Sequence, residues 1–459
     1  MHNPEDRSFI GHPRGLGYIS FAEAWERFSY YGMQSLLVLY MVKYLLHPGH
    51  IENIAGFESF RHLVEYFRGP LSIQALASTI FGLYTGFVYL TPIAGGLIAD
   101  RFLGRTATIT IGALLMSLGH FLMAFEVSFL GALLCLLLGV GCFKGNLASQ
   151  VGALYPTGDN RRADAFQIYY LFINGAVIIS PLVTGTLGEK VGWHWGFGAA
   201  GVGMLFGLAI YLLGRKYLPP DSPVVEKHAK VPLTHRDRMA IFALLALLPI
   251  ITIAIIGNQQ IFNAYLVWAE KTADLPIFRG EKMPITWLIT LDAILSISCL
   301  AGAVVFWRLW SKKFPEPTEI TKLGIGSLIA VTGFLSLATG AALAGPDGKV
   351  SFAWLVTFHL LNSIGFANVF PVSIALYARV APAALSATII GIYYLAFFAG
   401  NNLVGWIGGF LEKMAATPFW LMHAGLCGMA GIVFLIAGRL FGHLLAPGEN
   451  ENVPGKTAS

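Results

Sequence analysis

Glu23, Glu26 and Arg27 interrupt an otherwise apolar run, residues 21–41, FAEAWERFSYYGMQSLLVLYM. On a helix their i, i+3, i+4 spacing puts all three charges on one face, and Tyr30, Tyr31 and Gln34 continue roughly that face. Two more charges stand inside apolar runs, Lys144 and Asp292. A charge at bilayer depth costs about 2.5–3.5 kcal/mol on insertion scales, so none of these groups can face lipid. They must line a polar cavity or meet partners on other helices. Three acids against two bases leave one negative charge over if all ionise. Like charges in a dry site favour protonating one of them, so the set is suited to holding about one proton. The sequence does not assign that proton to a particular acid. If Lys144 pairs with Glu23 or Glu26, an incoming carboxylate competes for it, and the released glutamate takes a proton more easily. Ligand and proton are then coupled with no further machinery. A helix-gluing ion pair is the simpler alternative for each charge, and for Asp292 a residue such as His359 is a possible partner.

The elements that must position these charges are membrane helices. The 459-residue chain is 56% hydrophobic and 12% charged, against roughly 25% charge in a soluble domain. Apolar runs of spanning length recur along the whole chain. Twelve spans are expected, at about 17–46, 72–98, 106–125, 129–154, 163–188 and 194–216, then 238–268, 284–310, 320–344, 351–378, 384–411 and 418–445. The chain is rich in glycine, as close helix packing in lipid favours. The four cysteines lie in apolar runs and read as free thiols. The N-terminus has no signal-peptide pattern.

Most Lys and Arg residues fall on the side of the termini. The largest cluster is Arg215, Lys216, Lys227, Lys230, Arg236 and Arg238 around a proline-rich linker. The positive-inside rule therefore expects both termini and the linker in the cytoplasm, of a multi-pass protein in the cell (inner) membrane. The basic balance of +5 is accounted for by these loops and suggests no nucleic-acid partner. The expected division is an N-terminal six-helix bundle at 1–216, a linker at 217–237, a C-terminal bundle at 238–446 and a tail at 447–459. Such paired halves are the plan of major facilitator transporters. The longest outer segment, 47–71, has room for a short amphipathic helix. Between spans two and three, GGLIADRFLGRTATI (95–109) places Asp100, Arg101 and Arg105 in a charged turn. Such charges suit a cytoplasmic gate, or simply a positive-inside turn.

With these stretches in view, the chain resembles the proton-dependent oligopeptide transporter family. Residues 23–32, EAWERFSYYG, fit that family's first-helix pattern ExxERFxYYG. The fourth span places Lys144 at the family's lysine, with Gly145 where proline is usual. The fifth, IYYLFINGAVIISPL, places Asn174 at its asparagine, with Ala176 for a glycine. The resemblance implies that Arg27 and Lys144 receive a peptide's carboxylate, with Tyr31 and Asn174 beside them. Tyr84, Tyr169, Tyr393 and Tyr394 are candidates to line a side-chain pocket, and Asn401 to line the cavity, although each could instead be packing. The C-terminal half departs from the family. Phe366 replaces a span-ten glutamate, and Asn258 and Gln259 stand where an acid is common. Gln34 stands where many bacterial members have an arginine, and Asp292 where an asparagine is frequent. An outer gate of amide against amide is expected from Gln34 with Asn258 and Gln259. Asp292 is expected to receive the peptide's ammonium and to take part in proton coupling, because it is the only acid within a C-terminal span.

The function implied is a proton-coupled symporter importing di- and tripeptides, working as a monomer in the bilayer with protons alone as coupling ion and no other cofactor. Transport of another small anionic or zwitterionic solute, such as nitrate or a modified amino acid, is the alternative. No HExxH, GxSxG, Cys/His metal cluster or phosphate-binding loop stands in the sequence, so no enzyme is expected.

Overall fold

A computed structural model describes residues 6–156, 158–221, 233–278, 280–345, 347–382 and 385–445. Most of the central linker, with Lys227 and Lys230, and the tail at 447–459 lie outside them. Twelve helices of 18 residues or more form the described molecule. In the first half these are α1 (Arg14–Tyr40), α3 (Ile73–Ile98), α4 (Arg105–Leu122), α5 (Phe129–Ala153), α6 (Arg161–Ser180) and α7 (Trp193–Gly214). In the second they are α8 (His235–Gln259), α10 (Trp287–Trp310), α11 (Glu319–Ala342), α12 (Phe352–Val380), α13 (Ser386–Gly408) and α14 (Ala416–Phe441). Ten of the twelve are long and apolar enough to cross a membrane. The other two, α1 and α4, coincide with the first and third expected spans. Two shorter helices complete the set: α2 (Phe57–Arg68), in the segment where an amphipathic helix was expected, and α9 (Ala264–Thr272), which prolongs α8.

Apart from α3 and α13, which pack most extensively on each other across the halves, helices α1 and α4–α7 pack mainly within the first half and α8–α12 and α14 within the second, giving the two six-helix bundles of a major facilitator fold. Within the first bundle glycines set the crossings. A Cβ at Gly95 would lie 2.0 Å from the Gly141 carbonyl oxygen, so α3 and α5 touch backbone to backbone. Lys144 follows Gly141 by about one turn, and this contact carries its ammonium over the Tyr89 ring of α3, 5.3 Å from the centroid. Entry to the second bundle is fixed by a capping box: Thr234 Oγ1 accepts from the Asp237 N–H, and Asp237 accepts from the Thr234 N–H.

The bundles meet along three seams. Helices α3 and α13 meet through glycines; a Cβ at Gly82 would sit 2.5 Å from the Asn401 carbonyl oxygen and 2.8 Å from Gly405 Cα. Helices α6 and α10 meet through polar groups, with Thr290 Oγ1 donating to the Ile178 carbonyl at 2.9 Å. Helix α1 meets α9, where Lys43 Nζ lies 2.5 Å from Glu270 Oε1. Ser72 is also bonded to Glu412 across the halves. Lys43, Ser72, Glu270 and Glu412 all sit at the helix ends remote from Arg14, so the halves are drawn together at that far end.

Candidate functional site

Arg27 is the centre of the charged cluster. Its Nε lies 2.9 Å from Glu23 Oε1 and 2.5 Å from Glu26 Oε2, and all three side chains are at most 5% exposed. The helical spacing supplies the Glu23 contact directly. Both acids converge on one nitrogen, so Arg27 Nη2 and Glu23 Oε2 have no hydrogen-bond partner among the described residues. The guanidinium also stands 5.6 Å from the centroid of the Tyr30 ring. Lys144 faces the same cluster and interacts with Glu23 and Glu26 through space. The conditional pairing of Lys144 with a glutamate is not what the structure holds. Arg27 takes both acids, and Lys144 rests on Tyr89 without an ion pair among the described residues. The delocalised guanidinium is the better partner for two carboxylates in a dry site.

Tyr31 is half-buried and its ring centroid lies 6.2 Å from that of Phe262, in the other half. It is therefore at the interface between the halves, one helical turn from Arg27. Tyr84 is buried, and its hydroxyl has no partner among the described residues. Asn174 spends its Nδ2 on its own helix, donating to the Tyr170 carbonyl at 2.9 Å. Asn401 donates to the Phe397 carbonyl and accepts from Gln259 Nε2 at 3.3 Å, so it braces α13 against α8. Tyr393 is fully buried, with its hydroxyl 2.9 Å from Ser373 Oγ. That ring is core packing in this conformation. The next residue, rotated about 100° around the helix, is the one that reaches across: Tyr394 stacks on Tyr89, 6.0 Å between centroids.

In the second half, Asp292 is 9% exposed and its Oδ1 lies 2.8 Å from His359 Nδ1. His359 Nε2 is in turn 2.8 Å from the Tyr265 hydroxyl. The expectation of a carboxylate open to an ammonium is thus modified, because the acid already has an imidazole partner. Phe366 and Asn258 line one pocket with Ser327, Asn362 and Cys427. The Ser327 hydroxyl and Asn362 Nδ2 have no partners there among the described residues.

The expected outer amide gate is not formed in this conformation, and the cytoplasmic charges stand apart. Gln34 makes no amide–amide bond with Gln259, which is bonded to Asn401; its Oε1 has no partner among the described residues. Ion pairs that do join the halves at the far end are Lys43–Glu270 and Lys190–Glu281. Asp100 and Arg101 are exposed, Arg105 is half-exposed, and none forms an ion pair among the described residues. What ties this turn down is Asp221, whose carboxylate accepts from the Thr106 N–H at 3.0 Å and from Thr106 Oγ1 at 3.1 Å. Asp221 thus caps the N-terminus of α4.

The fold and this buried charge cluster define a transporter of the major facilitator class. A family model described as the POT family matches residues 106–239. The di-/tripeptide transporter of Lactococcus lactis subsp. lactis (strain IL1403) is 30% identical, covering 95% of this chain and 97% of its own. The uncharacterized transporter YclF of Bacillus subtilis (strain 168) is 28% identical, covering 93% of each. A crystal structure of the peptide transporter POT in complex with sulfate superimposes with a TM-score of 0.83 at 25% identity, covering 95% of this chain and 96% of that one. The chain belongs to the POT family, the proton-dependent oligopeptide transporters.

Proposed function

We propose that the chain imports di- and tripeptides together with protons by alternating access. The observation that carries this reading is the arrangement around Arg27. Two buried carboxylates share one nitrogen, while Arg27 Nη2 and the Lys144 ammonium are left for an incoming anion. A peptide carboxylate arriving there neutralises Arg27 in place of a glutamate, and the displaced glutamate is then favoured to take a proton. Tyr31, Tyr84, Asn174 and Asn401 are assigned to the walls of the peptide site. Tyr393 supports Tyr394 there from behind. Asp292 is assigned to coupling, and it receives the ammonium when His359 releases it.

The division into bundles at 1–216 and 238–446, the linker and tail on the cytoplasmic side, and residence in the inner membrane rest on the Lys and Arg distribution. On that orientation the far end is the outer end, and the closed seams leave the site facing the cytoplasm. Asp100, Arg101 and Arg105 then form the cytoplasmic gate in the opposite state. A monomer suffices, since both halves of the site lie in one chain. Phe366, in place of a glutamate, favours one second reading, a small anionic solute without an ammonium. Uptake of a labelled dipeptide into proteoliposomes, driven by outside acidification, tests the proposal. Accumulation that unlabelled dipeptide competes and nitrate does not supports the peptide reading; competition by nitrate alone overturns it.

A further inference from the structure

Glu189 lies beyond the charged cluster, at the far end of the helical run that continues α6. It is held entirely by the other half of the molecule. Its Oε2 accepts from the Ile285 N–H at 2.9 Å. Its Oε1 accepts from the Thr286 N–H at 2.9 Å and from Thr286 Oγ1 at 2.6 Å. These donors lie just ahead of α10. The contact ends a polar seam in which Trp287 Nε1 donates to Thr186 Oγ1 at 2.9 Å and Thr290 donates to Ile178. Gly185 makes room for it, since a Cβ there would fall 2.0 Å from Thr286 Oγ1. The other members of this seam are hydroxyls, an indole and peptide groups; Glu189 is its titratable one.

We infer that Glu189 is a second proton-binding site, taking its proton from the outer solution and releasing the outer seam when it does so. The inference rests on the alternating-access reading above. As a carboxylate, Glu189 accepts all three bonds. Protonation removes the charge that strengthens all three bonds: an O–H on Oε2 would face the Ile285 N–H, which can only donate, and an O–H on Oε1 would have to turn the Thr286 hydroxyl from donor to acceptor. Protonation therefore opposes closure of the α6–α10 seam, and deprotonation favours it. The nearby charges are occupied elsewhere. On its own helical run, Lys190 pairs with Glu281 of the 277–282 hairpin at 3.1 Å. Glu270 of α9 pairs with Lys43 in the turn that prolongs α1. His194 at the start of α7 is exposed and packs on Trp195. None of these gives Glu189 a cation, so its charge depends on the donors of the opposite half. Glu189 is half-buried, so protons of the far-end solution can reach it. An acidic exterior then holds the transporter open to the outside, the state that must be loaded first.

The test is a distance measurement between spin labels at Phe125→Cys and Leu343→Cys, exposed positions at the far ends of the two halves. The four native cysteines are replaced by serine and the protein is held in lipid nanodiscs. Between pH 8 and pH 5 the ratio of long to short distances should rise at least threefold. Glu189→Gln should show the long population at both pH values, and Glu189→Asp should keep the pH response. Thr286→Val, which removes one donor and leaves the acid, should favour the long distance but still respond to pH. This variant decides the matter if Glu189→Gln fails to fold. A pH-independent distribution in the parent protein, or an unchanged pH response in Glu189→Gln, overturns the inference. Dipeptide uptake by the same labelled protein separates the two readings. Absent uptake with pH-dependent distances sinks symport and leaves the proton site; driven uptake with pH-independent distances does the reverse.

Discussion

His359 Nδ1 and Asp292 Oδ1 lie 2.8 Å apart, joining α12 to α10 in the half of the molecule that lacks the other expected acids. His359 is fully buried and its second nitrogen meets the Tyr265 hydroxyl. The three groups form a chain in which the tyrosine hydroxyl can either donate to a neutral imidazole or accept from a charged one. An acid placed to meet an ammonium is thus first the partner of a histidine, and the two roles compete.

If they form one unit, Asp292→Asn and His359→Gln will flatten the pH dependence of uptake to the same degree. The double variant will be no worse than either single one, because residues in one network are not additive. Asp292→Ala should also lower stability by about 1–3 kcal/mol, as expected when a buried donor loses its acceptor; thermal unfolding reads this. An N-acetylated dipeptide, which has no ammonium, should lose much less affinity than a free dipeptide on Asp292→Asn. Equal losses would leave Asp292 a packing partner of His359.

Glu23→Gln, Glu26→Gln and Lys144→Ala should each abolish uptake driven by a proton gradient while some peptide exchange survives. Exchange needs binding and rocking of the halves, but no net proton movement. Counterflow in proteoliposomes separates the two activities. Wild-type accumulation in all three variants would remove the cluster from coupling.

The Lys43–Glu270 pair is partly solvated, with side chains 42% and 29% exposed. Such pairs contribute about 0–1 kcal/mol. Lys43→Gln should therefore shift the outer-closed population at most about fivefold, Lys43→Glu should shift it further by setting two carboxylates together, and Lys43→Glu with Glu270→Lys should restore it. Distances between labels on the two halves measure this, and high salt should weaken the effect.

Much of this was legible in sequence because a charge inside an apolar run is a one-dimensional signal. Glu23, Glu26, Arg27, Lys144 and Asp292 all stood out, and the spacing of the first three already implied one face. Most of the twelve spans were visible in hydropathy alone; α1 and α4 fall short of it, α1 because its charges and tyrosines dilute the apolar run. Partners across helices were harder to read. His359 could be named only as one option for Asp292, and Arg27's hold on both acids depends on the exact placing of one guanidinium. Tyr393 and Tyr394 are adjacent, so only the helix phase decides which one meets Tyr89. Glu189, Lys43 and Glu270 sit near span ends, where charges are ordinary, so nothing local marked them as links between the halves.

The glycine seam of α3 and α13 gives the last prediction. A Cβ at Gly82 would meet the Asn401 carbonyl oxygen at 2.5 Å and Gly405 Cα at 2.8 Å. Both are backbone atoms of the other half, so no side chain can swing aside to make room. Gly86 is tight too, but less rigidly so, with the side-chain Nδ2 of Asn402 at 2.7 Å and the Phe398 carbonyl oxygen at 3.1 Å from the added carbon. Overpacking of this kind costs about 1–3 kcal/mol where a core must absorb it. Here the halves can separate instead, because alternating access already requires that motion. Gly82→Val should therefore leave the protein folded but populate the state open at the far end, making cysteines placed along the seam accessible to a membrane-impermeant thiol reagent from outside. Uptake should fall at least tenfold, since the outer end can no longer close over its load. Gly96, whose added Cβ meets nothing within 4 Å, supplies the control: Gly96→Val should change neither labelling nor uptake by more than about twofold, within the roughly 0.5 kcal/mol expected of a surface substitution. Equal labelling of the Gly82→Val and parent proteins would show that the seam yields without opening the gate.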